Sequence, residues 1–205
     1  MAQKQQYSEM KETDILSIIR KGEITSELDL ERAVLAERSL RMLSEEQPEL
    51  KPMRKELRAL IIQYESAHWS DESLVTEAQV AESDAAEIQA ATEFKFFRRR
   101  RALILEKLKS LGLKQNDLGI LLAHSKSYTS ELLNGIRAFS ANDLLLIHKL
   151  LDIDMEDLFF TEIPAATLNR IQGSLQKMAE RNIKLDKNGL KLVPPAKKRL
   201  SESTL

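Results

Sequence analysis

Side chains able to do chemistry are present in this chain, but few stand at spacings that chemistry uses. Ser8-x-x-Lys11 and Ser174-x-x-Lys177 match the spacing of a serine nucleophile with a lysine base. Both lie in polar helical text, without the strand-framed setting or companion motifs such a nucleophile needs. The histidines, His68, His124 and His148, do not pair with one another at metal-ligand spacing. His124 reads as part of a turn, and His148 as part of a helix surface. Tyr64 and Trp69 read as hairpin core or helix-end packing. Cysteine is absent, which removes disulfides, thiolate zinc sites, iron–sulfur ligation and thiol catalysis. There is no glycine loop to cradle phosphate and no His–carboxylate metal motif. The chain is therefore expected not to be an enzyme, and to carry no cofactor and no metal.

Basic side chains are the other candidates. Arg98, Arg99, Arg100 and Arg101 form a run that could anchor phosphate. Successive helical residues turn through roughly 100° each, so the run cannot share one face. At most two of them would touch DNA, and otherwise the run reads as solvated. Lys197, Lys198 and Arg199 read as a soluble, disordered tail.

Charge is distributed unevenly along the chain. The 205 residues carry 31 Lys+Arg and 32 Asp+Glu, a net of −1. Residues 1–93 hold 11 basic and 20 acidic residues, a net of −9. Residues 94–150 hold 11 and 4, a net of +7, and residues 151–205 hold 9 and 8. An acidic half joined to a basic segment points to two different partners. No apolar run is long enough to span a bilayer and the first residues have no apolar signal core, so a cytoplasmic protein is expected.

The elements that must position these residues are helical. Only 6 Gly and 5 Pro occur in 205 residues, among abundant Leu, Glu, Ala, Lys and Arg, which favours an all-α chain. A short helix is expected over 9–20, stopped at Gly22. A second runs over 26–46, started by Ser26 as N-cap. A third runs from Pro52 to residue 69, with Leu57, Leu60, Ile61 and Tyr64 on one stripe. The last two form an antiparallel helical hairpin. Residues 70–83 read as linker plus the start of a helix. The expected domains are an acidic helical one over 1–83, a second over 84–163, and a C-terminal helix with a flexible tail over 164–205. That helix carries Leu168, Ile171, Leu175 and Met178 on a stripe that must bury in a core or a dimer interface. A small hairpin turn is expected at Lys187, Asn188 and Gly189.

Residues 99–159 parse into five short helices: 99–110, 114–122, 126–134, one after Ser140, and 155–159. Two short helices joined by a tight turn inside such a packet form a helix-turn-helix layout. Gly119 sits where the second and third helices would cross closely. Leu118 and Leu122 then face the core, answered by Thr129 and Leu132, which leaves Lys126, Ser127, Tyr128 and Ser130 to face outward.

Residues 113–159, LKQNDLGILLAHSKSYTSELLNGIRAFSANDLLLIHKLLDIDMEDLF, resemble the XRE (Cro/repressor-type) helix-turn-helix family without a gap. Two departures stand at the turn. Ala123 replaces a frequent Gly, at a cost of roughly 1 kcal/mol if the position needs φ > 0. His124 replaces a frequent aliphatic residue. The resemblance implies that the third helix enters the major groove with its N-terminal residues against base edges. Ser127 and Tyr128 would contact bases, with Ser125 and Ser130 beside them, and Lys126 would read guanine or hold phosphate. Gln115 matches a phosphate-contacting position at the start of the second helix, and Asn134 and Arg137 match positions that grip the DNA backbone. It also implies a homodimer on half-sites roughly 34 Å apart.

The hairpin 28–69 ahead of a C-terminal helix-turn-helix is similar to the longer HigA-type antitoxins of bacterial toxin–antitoxin pairs. That resemblance implies binding of a small basic ribonuclease toxin of the HigB/RelE-like class and repression of the protein's own operon. A −9 segment suits such a basic surface. Two alternatives stand beside it. One is a stand-alone or phage-derived transcriptional regulator with a sensing or dimerisation N-terminal domain. The other is a helical protein-interaction adaptor that does not bind DNA.

Overall fold

The computed structural model of the protein describes residues 14–163 and 165–180, which are mostly helical and contain no strand. Nine α-helices follow one another among them: α1 (Ile15–Lys21), α2 (Glu27–Glu46), α3 (Lys51–His68), α4 (Glu77–Ser110), α5 (Gln115–Leu121), α6 (Lys126–Leu133), α7 (Ala141–Leu151), α8 (Met155–Leu158) and α9 (Ala165–Glu180). Single 3-10 turns lie at Pro48–Leu50 and Glu72–Leu74. Residues 9–13 of the first expected helix, Ser8 and Lys11, the turn at Lys187–Gly189 and the tail at Lys197–Arg199 lie outside the described residues. No described helix is long and apolar enough to cross a membrane.

Local signals set the helix ends. The Asp14 carboxylate caps α1 by accepting from the Ser17 N–H at 2.5 Å. Gly22, at φ 73°, closes α1 in the left-handed conformation that glycine adopts without penalty. Ser26 caps α2 by accepting from Asp29 N–H at 3.2 Å. Thr76 does the same for α4, accepting from Gln79 N–H at 3.2 Å.

Two cores share one helix. In the first, α1, α2 and α3 bury Ile15, Ile18, Leu30, Leu40, Leu57 and Ile61. The N-terminal part of α4 packs along α2, where the small residues Ala86 and Ala90 are buried. Arg32 on α2 clamps Glu93 on α4 through two parallel N–H···O bonds of 2.7 and 2.8 Å, the fork geometry that suits a guanidinium and a carboxylate. Farther along, Ile104 and Leu108 of α4 enter a second core with Leu118, Leu132, Ile147, Leu158 and their neighbours. α4 is unbroken across the expected boundary at 83/84, and the described residues up to Phe160 form one compact unit. The expected helix over 99–110 is the C-terminal third of α4.

A pair of hydrogen bonds also ties the two cores together. Leu16 N–H donates to the Ile136 carbonyl at 3.2 Å, and Ala138 N–H donates to the second oxygen of Asp14 at 2.9 Å. Ile136, from the loop after α6, is buried in the first core. The segment from Thr161 forms a second unit containing α9. There the Ser174 hydroxyl donates to the Arg170 carbonyl at 3.0 Å, an ordinary helical back-bond rather than the poise of a nucleophile.

The arginine run divides as helical geometry requires, with one correction. Arg98, Arg99 and Arg101 are exposed, and Arg99 pairs with Asp157 at 2.9 Å. Arg100 is neither phosphate anchor nor solvated surface. It is 4% exposed and donates to the Leu158 carbonyl at 3.1 Å. Its guanidinium lies 4.9 Å from the Phe97 ring and 5.2 Å from the Phe139 ring. Sequence could not single it out, because the carbonyl it reaches is 58 residues away. Arg100→Ala is expected to lower unfolding free energy by about 2–3 kcal/mol, through lost packing and an orphaned carbonyl. Arg101→Ala should stay within about 0.5 kcal/mol. Chemical denaturation of both variants measures the difference.

Candidate nucleic-acid interface

α5 and α6 form a pair of short helices joined by a tight turn, locked by one close approach. A Cβ built on Gly119 of α5 would lie 2.7 Å from the Thr129 hydroxyl and 3.1 Å from the His124 carbonyl oxygen. Thr129 is fully buried, and its hydroxyl donates to the Ser125 carbonyl at 3.0 Å. Only glycine lets α6 cross here at this distance.

The chain enters α5 through Gly112 at φ 70°. The Lys114 N–H then donates to the Asp117 carboxylate at 2.7 Å, which satisfies a free donor at the helix start. α5 ends with His124 N–H donating to the Gly119 carbonyl at 2.8 Å. Ala123, at φ 56°, occupies the left-handed conformation that the sequence departure put in question. The chain thus carries an alanine where glycine would be unstrained. Ser125 then caps α6, its hydroxyl accepting from Tyr128 N–H at 3.2 Å.

His124 has a partner that explains its place in the turn. Its Nε2 lies 2.9 Å from Asp143 Oδ1 on α7. Asp143 Oδ2 accepts from Ser140 N–H at 3.0 Å, and Asp143 N–H returns to the Ser140 hydroxyl at 3.1 Å, a reciprocal cap. The Tyr128 ring is 4.7 Å from the His124 ring, and the Arg137 guanidinium is 5.0 Å from the Tyr128 ring. The turn, α6 and the following loop are therefore held as one layer of packed rings and polar side chains.

The expected contact residues divide by exposure. Ser125, Lys126 and Ser127, at the leading end of α6, are exposed. Gln115, Tyr128, Ser130, Asn134 and Arg137 are half-buried. Asn134 donates to the Ser130 hydroxyl at 3.2 Å. Ser127, Ser130, Glu131 and Asn134 share one side of α6, since residues three and four apart stack on a helix.

Glu131 is the residue sequence reasoning missed. It bonds Arg137 and lies 3.5 Å from the Ser127 hydroxyl. That bond pushes the Arg137 guanidinium above the ordinary arginine range. Arg137 is thus engaged inside the protein rather than held out to a ligand. The spacing of Glu131 from Ser127 signals the first contact, but the bend after Gly135 that returns Arg137 is a tertiary feature. Among the described residues no group of His, Asp and Glu is arranged to hold a metal ion.

No protein-family model matches the chain, and no curated protein or solved structure matches it either.

Two substitutions test the packing of this pair. Gly119→Ala is expected to destabilise the protein by about 1–3 kcal/mol, because Thr129 must shift in a packed site. Ala123→Gly is expected to stabilise it by about 1 kcal/mol by relieving the left-handed alanine. Urea unfolding midpoints for the two variants should move in opposite directions.

Proposed function

We propose that this chain is a sequence-specific DNA-binding repressor of the XRE helix-turn-helix type, acting as the antitoxin of a HigB/RelE-like ribonuclease and repressing its own operon. The observation that carries the DNA reading is the leading end of α6, where Lys126 and Ser127 are exposed beside a turn locked by Gly119 against Thr129. The net +7 of residues 94–150 supports it, since phosphate attraction supplies much of DNA affinity. Ser127 and Tyr128 read base edges, with Lys126 on guanine or phosphate. Ser125, Ser130 and Gln115 sit beside them, and Asn134 and Arg137 hold the DNA backbone. A homodimer in the cytoplasm sets the half-site spacing.

The Glu131–Arg137 bond gives this reading a specific cost. Phosphate must compete with a carboxylate for Arg137, so an incoming duplex exchanges one charge-assisted bond for another. Glu131 also places a negative charge on the side of α6 that faces the groove.

The antitoxin part rests on the acidic half, whose net −9 over residues 1–93 complements a basic, RNA-binding toxin. A regulator with a sensing N-terminal domain is the second reading. It is favoured by a cleft of about 410 Å³ between the start of α2, the end of α3 and the start of α4. In neither reading is the chain an enzyme.

Duplexes selected from a random pool, followed by anisotropy titrations, test the DNA reading. Affinity is expected to fall steeply, by about 10³-fold or more between 50 and 200 mM salt, if several phosphates are held. Binding of no duplex at low salt would instead favour the adaptor reading. Ser127→Ala and Tyr128→Phe, the latter keeping the ring packed, are expected to relax sequence preference with little change in stability. Arg137→Ala should weaken all duplexes about equally, and Glu131→Gln should strengthen them.

A further inference from the structure

We infer that the outward face of α4 is a self-docking surface, on which a second copy of this chain packs antiparallel about Ala91. The inference rests on the proposed function only for the homodimer, and it is tested on the protein without DNA, so the two fail separately. It starts from the place where the chain changes charge. The net −9 of residues 1–93 gives way to the net +7 of residues 94–150 within α4. Both signs are displayed on the side of the helix turned away from the cores. Ala86, Ala90, Ile104 and Leu108 are buried on one side, while Asp84, Glu87, Ala91, Lys95, Arg98 and Ala102 are exposed on the other.

Positions three, four, seven and eleven residues from a helical residue share its face. Counted from Ala91, the two directions match. Four residues back stands Glu87, and four forward Lys95. Seven back stands Asp84, and seven forward Arg98. Ile88 and Phe94 are three away, and Val80 and Ala102 are eleven away. A copy of the helix turned end for end about Ala91 therefore sets each of these acids opposite a base and each apolar residue opposite another. That is the isologous pattern of a two-fold interface. A small residue at the axis lets the helices approach closely. The matched stretch from Val80 to Ala102 is about 33 Å long.

The described residues leave this face unmatched. None of Asp84, Glu87, Lys95 and Arg98 forms an ion pair with a described residue. Burial, and then the charge of Glu87, push the Glu31 carboxyl on α2 above its usual range, so Glu87 adds to local negative charge. Val80 and Ile88 are 44% and 45% exposed. Charge order selects the occupant. A basic partner would meet Lys95 and Arg98 as like charges, and an acidic partner or a nucleic-acid backbone would meet Asp84 and Glu87. A helix with the reverse order of charge satisfies both ends, and α4 read backwards is such a helix.

Sedimentation equilibrium of the full-length chain, from about 1 to about 200 µM, reads the association, which is expected to weaken as salt rises. Asp84→Lys with Glu87→Lys makes the whole face basic, and Lys95→Glu with Arg98→Glu makes it acidic. Each reversed chain alone is expected to associate about tenfold or more weakly than the native chain. An equal mixture of the two is expected to regain native affinity by pairing one with the other. The native chain has no cysteine, so crosslinking gives a second measurement. With diamide as oxidant, Ala91→Cys is expected to form a disulfide dimer about tenfold faster than Met42→Cys, at an exposed position of α2. A native chain that is monomeric throughout gives the face to a different protein and overturns the proposal. So do reversed chains that associate as the native one does, which assigns the dimer to another face. A mixture that stays monomeric while each reversed chain unfolds at the native midpoint also overturns it, as does Ala91→Cys crosslinking no faster than Met42→Cys. Should the reversed chains fail to fold, the crosslinking rates decide alone.

Discussion

Helix α4 runs unbroken from the α2 surface into the second core, so one ladder of backbone hydrogen bonds fixes the spacing between the residues buried at each end. Its 34 residues span about 50 Å. Ala86 and Ala90 pack on α2 at one end, and Ile104 and Leu108 fill the packet of α5 to α8 at the other. Between them, Arg32 clamps Glu93 and Arg100 reaches the Leu158 carbonyl. These polar contacts do little for net stability by themselves, because each charge loses hydration on burial. They define register: a slip of one residue along α4 turns the helix by roughly 100° and carries Arg100 away from the Leu158 carbonyl.

The clasp between α1 and the loop after α6 makes the coupling specific. Asp14 uses one oxygen to cap its own helix and the other to hold Ala138. Arg137 stands between the two residues that α1 holds, Ile136 and Ala138. The loop that presents Arg137 to Glu131 and Tyr128 is therefore positioned by the first helix of the acidic half. Any ligand that shifts α1 relative to α6 would act on that loop through one backbone hydrogen bond and one bond to the Asp14 carboxylate.

The face of α6 is organised by internal partners before any ligand arrives. His124 ties the turn to the cap of α7, and Glu131 holds Arg137. Preorganisation of this kind limits the entropy lost on binding, at the cost of partners that must be displaced. The first core shows the opposite condition. There Glu27 holds one oxygen that no group among the described residues satisfies.

Much of this was legible in the residues themselves. Ser26 and Ser140 marked helix starts, because a hydroxyl capping a free N–H acts over three residues and needs no tertiary context. Gly22 marked a helix end for the same local reason, and the need for a small residue at Gly119 followed from the crossing of two adjacent helices. The hairpin of α2 and α3 followed from its apolar spacing. The single helix across 83/84 did not, because polar, acidic text such as residues 77–84 is compatible with linker or exposed helix, and packing beside α2 decides between them. Arg100, the His124–Asp143 contact, the return of Arg137 to Glu131 and the orphan oxygen of Glu27 were equally hidden. Local sequence acts through hydrogen bonds and side-chain stripes a few residues apart. Partners 19 to 61 residues apart, such as His124 with Asp143 and Arg32 with Glu93, meet only when the cores close.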